Sequence, residues 1–122
     1  MMKSILIVED NELNLKLLYD LLIAKGYSVN IARSGEECLQ RLENFHPDLI
    51  LMDIHLPGIS GIDTLKEIRK NPQFDKTVVL AVTASVMSSD KVSILESGFA
   101  EFISKPINIS SFLEVVSNFL KE

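Results

Sequence analysis

Leu49-Ile50-Leu51-Met52-Asp53 is a run of four apolar residues closed by an acid, too short for a helix and preceded by Pro47. A continuous apolar run, without alternation, marks a strand buried on both faces, as in a parallel sheet. The signature recurs on either side of it. Ile5 to Val8 is stopped by Glu9 and Asp10, and Val78 to Val82 is the most β-branched run and reads as a central strand. Ser28 to Ala32 is a weaker strand, and Glu101 to Ser104 a fifth.

Helical patterns fill the gaps. Asn11 is an N-cap candidate before Leu13, Leu17, Leu18, Leu21 and Leu22, and Gly26 stops that helix. Ser34 with Glu37 forms a capping-box pattern ahead of Cys38, Leu39, Leu42 and Phe45, closed by Pro47. Ser60 to Lys70 carries Ile62, Leu65 and Ile68 and ends in basic residues that suit the helix dipole. A Ser-rich, weak helix follows around Ser89 to Ser97, stopped by Gly98. The last runs from about Ser110 to Lys121, with Phe112, Leu113, Val116, Phe119 and Leu120 expected inside. Five β–α units with buried strands predict an α/β fold, a parallel sheet covered by helices on both faces.

Composition narrows the function. The chain has 122 residues, 47% of them hydrophobic and 24% charged, a length and balance suited to one globular domain spanning residues 1–122. A net charge of −5 leaves no basic surplus for a nucleic-acid backbone, so no nucleic-acid partner is expected. The longest apolar run, Val78 to Val82, is five residues, far short of the ~20 that span a bilayer, so no membrane partner is expected either. No signal-peptide core follows Met1-Met2-Lys3, and the single cysteine, Cys38, falls on an apolar helix face as a buried thiol. The expected location is the cytoplasm.

In open parallel sheets ligands bind beyond the carboxyl ends of the strands. Those positions hold Glu9 and Asp10, Asp53, Thr83 and Lys105, drawn from four segments. Each alone could be a solvated loop residue; their convergence argues for a site. Carboxylates about 5 Å apart repel by ~3 kcal/mol per pair at an effective dielectric near 20. Such a cluster takes up a proton, a cation or both, and an oxygen shell with room for water and phosphate favours Mg²⁺ over Ca²⁺. A metal, an ammonium and a hydroxyl around one carboxylate suit a phosphoryl group on that carboxylate.

Val8-Glu9-Asp10-Asn11, Asp53-x-x-x-Pro57-x-x-x-Gly61, Val82-Thr83-Ala84 and Lys105-Pro106 occur in that order. The ordered set resembles the receiver domain of two-component response regulators across essentially the whole chain, most closely the single-domain DivK-like type. The resemblance implies a flavodoxin-like, doubly wound (βα)5 fold with strand order 2-1-3-4-5. It implies Asp53 as phosphoacceptor, taking a phosphoryl group from a phosphohistidine on a histidine kinase or histidine phosphotransferase. Asp10, Asp53 and the His55 backbone carbonyl would ligate Mg²⁺ (or Mn²⁺), with Glu9 acting through water. Thr83 and Lys105 would each hold a phosphoryl oxygen, and the Lys105-Pro106 peptide would be cis. Such a protein catalyses only its own phosphotransfer and autodephosphorylation, and is not otherwise an enzyme.

Two departures stand out. Two residues after Asp53, where the family often has Asn or another polar residue, this chain has His55, expected as an exposed side chain with a functional carbonyl. The aromatic switch position holds Phe102 rather than the commoner Tyr. His46 is expected to be structural or solvated. A haloacid-dehalogenase-like phosphohydrolase would need a second carboxylate at position 55, and a flavodoxin would need a Ser/Thr/Gly-rich loop where Glu9 and Asp10 stand. A degenerate receiver used only as an interaction module would have lost site residues that are all present here.

The last helix runs out at Lys121 and Glu122, so no output domain is expected. The output would then be relay of the phosphoryl group, or binding of a downstream protein to a face made of the fourth helix, fifth strand and last helix. Thr83 and Phe102 would switch that face. Val86, Met87 and Ile94 lie near it, more apolar residues than the core needs.

Overall fold

The computed structural model describes residues 2–84 and 88–121, and of residues 88–91 the backbone alone. Five strands, β1 (Ser4–Val8), β2 (Ser28–Ala32), β3 (Leu49–Asp53), β4 (Val78–Thr83) and β5 (Glu101–Ser104), alternate with five helices. These are α1 (Glu12–Ala24), α2 (Gly35–Arg41), α3 (Gly61–Arg69), α4 (Ser88–Glu96) and α5 (Ile109–Phe119). A 3₁₀ turn, Pro72–Phe74, lies between α3 and β4. All strand pairs are parallel, in the order β2-β1-β3-β4-β5. The strand order reverses between β1 and β3, which opens a crevice at their carboxyl ends.

Successive side chains on a strand face opposite sides of a sheet. Leu6, Val8, Ile50, Met52, Val79 and Ala81 pack with Cys38, Leu65, Ile68 and Ile94 of α2, α3 and α4. Ile5, Ile7, Leu49, Leu51, Leu80 and Val82 pack with Leu15, Leu18, Leu22, Phe112 and Val116 of α1 and α5. Each Leu or Ile so buried contributes roughly 1.5–3 kcal/mol. The sheet therefore separates two apolar clusters.

The helix starts follow their caps. Asn11, Ser34, Ser60 and Asn108 each accept a backbone N–H three residues on, from Asn14, Glu37, Asp63 and Ser111. In the capping box of α2 the Glu37 carboxylate takes the Arg33 N–H at 2.7 Å, one residue earlier than the usual partner. Cys38 is fully buried, which pushes its thiol up to about 12.

Three core expectations are corrected. Leu13 is 81% exposed, and the buried stripe of α1 is Leu15, Leu18 and Leu22, with Leu17 and Leu21 half-buried. Phe119, in the last turn of α5, is 37% exposed. Ile94 belongs to the core, while the exposed apolar residues of α4 are Val92 and Leu95. Val86 and Met87 lie outside the described residues. His46 is bound through Nε2 to Thr77 Oγ1 at 3.0 Å and lies edge-on to Phe74. Among the described residues no helix is long and apolar enough to cross a membrane.

Candidate functional site

β1 and β3 are neighbours at the centre of the sheet, so their ends deliver Glu9, Asp10 and Asp53 to one place. One carboxylate oxygen from each lies within 4.8 Å of the others. Glu9 and Asp53 are buried, and Asp10 is exposed. Lys105 arrives from the end of β5, its Nζ 3.0 Å from Glu9 Oε1 and 3.3 Å from Asp53 Oδ2. The remaining oxygens bind backbone donors. Asp53 Oδ1 accepts the His55 N–H at 3.0 Å, and Glu9 Oε2 the Asn11 N–H at 3.3 Å.

Two backbone links complete the frame. Thr83, buried at the end of β4, accepts the Lys105 N–H on its carbonyl at 2.8 Å. Gly61 donates its N–H to Ile54 O at 3.0 Å and closes the loop after Asp53. The Lys105-Pro106 peptide is cis. The His55 side chain is exposed, while its amide turns to Asp53. Phe102, three residues before Lys105, is half-buried against the α2–α4 cluster.

Burial and the neighbouring Asp53 carboxylate raise Glu9 to about 7, against the opposing pull of Lys105. Burial alone would lower Lys105; its ion pair with Glu9 and the charge of Asp53 raise it instead. Although Lys105 Nζ approaches Glu9 Oε1, that buried oxygen has no aligned hydrogen-bond donor among the described residues. One ammonium thus pairs with two of the three clustered carboxylates, and one of those two keeps a buried acceptor with no aligned donor. This donor set fits a hard divalent cation with an oxygen shell.

The sequence matches the response regulator receiver domain family over residues 5–117. The chain belongs to the response regulator receiver family. Among related receivers, the polar-differentiation response regulator DivK of Brucella ovis is 45% identical over 120 residues, covering 98% of each chain. A response regulator from Chloroflexus aurantiacus has the same fold, with a TM-score of 0.94 at 32% identity over all of both chains. The receiver domain of a Pseudomonas aeruginosa sensor histidine kinase superposes with a TM-score of 0.91 at 26% identity, all of both chains being covered. That receiver is described with a magnesium ion coordinated in its active-site cleft.

Seen as a receiver, the chain brings Glu9, Asp10, Asp53 and Lys105 together and ties Thr83 to Lys105 through the backbone. Sequence reasoning missed the contact between Lys105 and Glu9, which is shorter than that to Asp53. It also missed the burial of Glu9, for which the signal was available. Glu9 directly continues the buried run Ile5 to Val8, and its N–H still pairs with Ala32 O, the last residue of β2.

Proposed function

We propose that this receiver accepts a phosphoryl group on Asp53 from the phosphohistidine of a histidine kinase or histidine phosphotransferase. The observation that supports it is a buried carboxylate at a central strand end, held by one amide and one lysine beside two further acids. An Asp53 carboxylate oxygen attacks phosphorus, the P–N bond breaks, and the imidazole leaves with its electron pair and takes up a proton. Lys105 and the Thr83 hydroxyl hold phosphoryl oxygens as charge redistributes. Asp10, Asp53 and the His55 carbonyl would hold Mg²⁺, or Mn²⁺ in its place, with Glu9 acting through water. When bound, that cation offsets the negative charge that three carboxylates and a phosphoryl group would otherwise bring together.

The chain does no chemistry on other molecules beyond its own phosphotransfer and autodephosphorylation, and it works in the cytoplasm, where such kinases present their phosphohistidine. Its output is a downstream protein bound at the α4-β5-α5 face, or relay of the phosphoryl group. Incubation with acetyl phosphate and Mg²⁺ tests the reading. One acid-labile phosphoryl group per chain is expected, absent from a folded Asp53→Asn variant. Equal labelling of that variant would refute Asp53 as acceptor. A native protein that takes up no phosphoryl group would support the interaction-module alternative.

A further inference from the structure

The turn between β2 and α2, together with the first turn of α2, carries none of the site residues, yet it touches both loops that do. On one side, Ala32 O accepts the Glu9 N–H at 3.0 Å, and Arg33 Nε donates to Glu12 Oε1 at 2.9 Å. Glu12 opens α1, two residues beyond Asp10. On the other side, Glu36 Oε2 accepts the Ile59 N–H at 3.4 Å in the loop between Asp53 and α3. The same carboxylate lies directly over Gly58, which has φ +75°; a methyl group there would stand 2.5 Å from Glu36 Oε2. Gly35 completes the contact, since a Cβ on it would come within 2.6 Å of Ile59 Cγ1.

We propose that this turn and the start of α2 form a clamp that fixes the spacing between the two carboxylate-bearing loops, with Arg33 and Glu36 as positioning residues for the metal and phosphoryl site. The inference rests on the site reading given under Proposed function. Arg33 holds the start of α1, two residues past Asp10, Glu36 holds the loop after Asp53, and the short backbone between them sets the distance. Both arms are solvent-exposed, the Arg33 and Glu12 side chains being 54% and 71% accessible. Exposed pairs of this kind are individually weak, so the effect is on placement rather than on global stability.

Charge alone predicts the opposite sign for one arm. Removing a cation near three carboxylates should tighten Mg²⁺ binding, whereas loss of the clamp should loosen it. The test is a titration of Mg²⁺ alone into the native protein, Arg33→Gln, Arg33→Lys, Glu36→Ala and Glu36→Gln, followed by amide chemical shifts. Thermal midpoints and metal-free amide exchange are measured alongside. Arg33→Gln and Glu36→Ala should each raise the Mg²⁺ dissociation constant about two- to fivefold at an unchanged midpoint. The Ile59 amide should exchange faster in Glu36→Ala only. Arg33→Lys and Glu36→Gln, which keep a donor and an acceptor respectively, should recover most of the native affinity. Native or tighter affinity in Arg33→Gln, or native affinity in Glu36→Ala, would overturn the clamp. So would a loss of affinity matched by a fall in the midpoint. A native protein that bound no Mg²⁺ would refute the site reading and the clamp together, whereas variants matching a responsive native protein would refute the clamp alone.

Discussion

Gly61, the first residue of α3, sits so close to the backbone of Asp53 that a methyl group on its Cα would overlap the Asp53 carbonyl oxygen and stand 2.9 Å from Ile54 Cα. The glycine of the Asp53-x-x-x-Pro57-x-x-x-Gly61 pattern is therefore a packing requirement. Its opponent is backbone, which cannot swing aside. Gly61→Ala should lose about 1–3 kcal/mol in urea unfolding, in the range of overpacked interiors. It should also take up the phosphoryl group more slowly than the native protein, because the shift falls on the acceptor's own peptide. Native stability in that variant would show that α3 can move away from β3 without cost.

Mg²⁺ should stabilise the fold by mass action, by about 2.7 kcal/mol at a hundred times its dissociation constant. Asp10→Ala should abolish this gain. Without metal the same variant should be more stable than the native protein, since one of three mutually repelling carboxylates is gone. Thermal unfolding with and without Mg²⁺ measures both. A native-sized response to Mg²⁺ in Asp10→Ala would show that Asp10 is no ligand.

The burial of Glu9 beside Asp53 sets the sign of a pH dependence expected of the metal-free protein. Its carboxyl rises from an ordinary 4.5 to about 7 in the fold, through burial first and Asp53 second. Between those values the folded state binds the extra proton, so stability present below pH 4.5 is lost as pH climbs to about 7. The loss is on the order of 3 kcal/mol. Urea unfolding across that window should show the slope in the native protein and a flatter curve in Glu9→Gln. Identical slopes would place the titration elsewhere.

Thr83→Ala should still accept a phosphoryl group on Asp53 but transmit it poorly. Moving a switch from 1% to 99% active takes a preference of roughly 5.5 kcal/mol between states. A charge-assisted hydrogen bond from Thr83 would supply part of that. Amide-exchange maps of the phosphorylated proteins should show changes reaching Phe102 and α4 in the native chain and stopping short in the variant. Native changes confined to the loops around Asp53 would remove the switch.

The strands were legible because each is a continuous apolar run, and a double-sided sheet demands that pattern. The caps at Asn11 and Ser34 were legible because each offers a side-chain acceptor ahead of an apolar stripe, whereas Ser60 was counted into its helix and Asn108 was passed over. What a helix turns toward the sheet was less so. In α1 the leucines at 13, 17 and 21 and those at 15, 18 and 22 both satisfy helical spacing, and only docking on the sheet selects the second set. Asn71-Pro72 signalled the 3₁₀ turn as an N-cap and a first-turn proline, a cue that went unused. The carboxylates and Lys105 were visible as strand-end residues, but the pairing of Lys105 with Glu9 depends on sheet order. No local pattern encodes it.

The division of the core into two clusters by the sheet has a mechanical consequence. Phe102 packs on the side of α2, α3 and α4, whereas its neighbour Ile103 packs with α1 and α5. Any rotation of Phe102 is therefore a repacking on one side of a bulkhead, and the opposite compartment has no ring to accommodate. Trimming Ile7→Val, on the α1 and α5 side, should lower stability by about 0.5–1.5 kcal/mol and leave the balance of the switch alone. Trimming Ile94→Val, in the compartment that Phe102 shares, should shift both. The sheet that supports the acid cluster thus confines the repacking of that one ring to the compartment of α2, α3 and α4, while Ile103 on the same strand joins β5 to the α5 side of the output face.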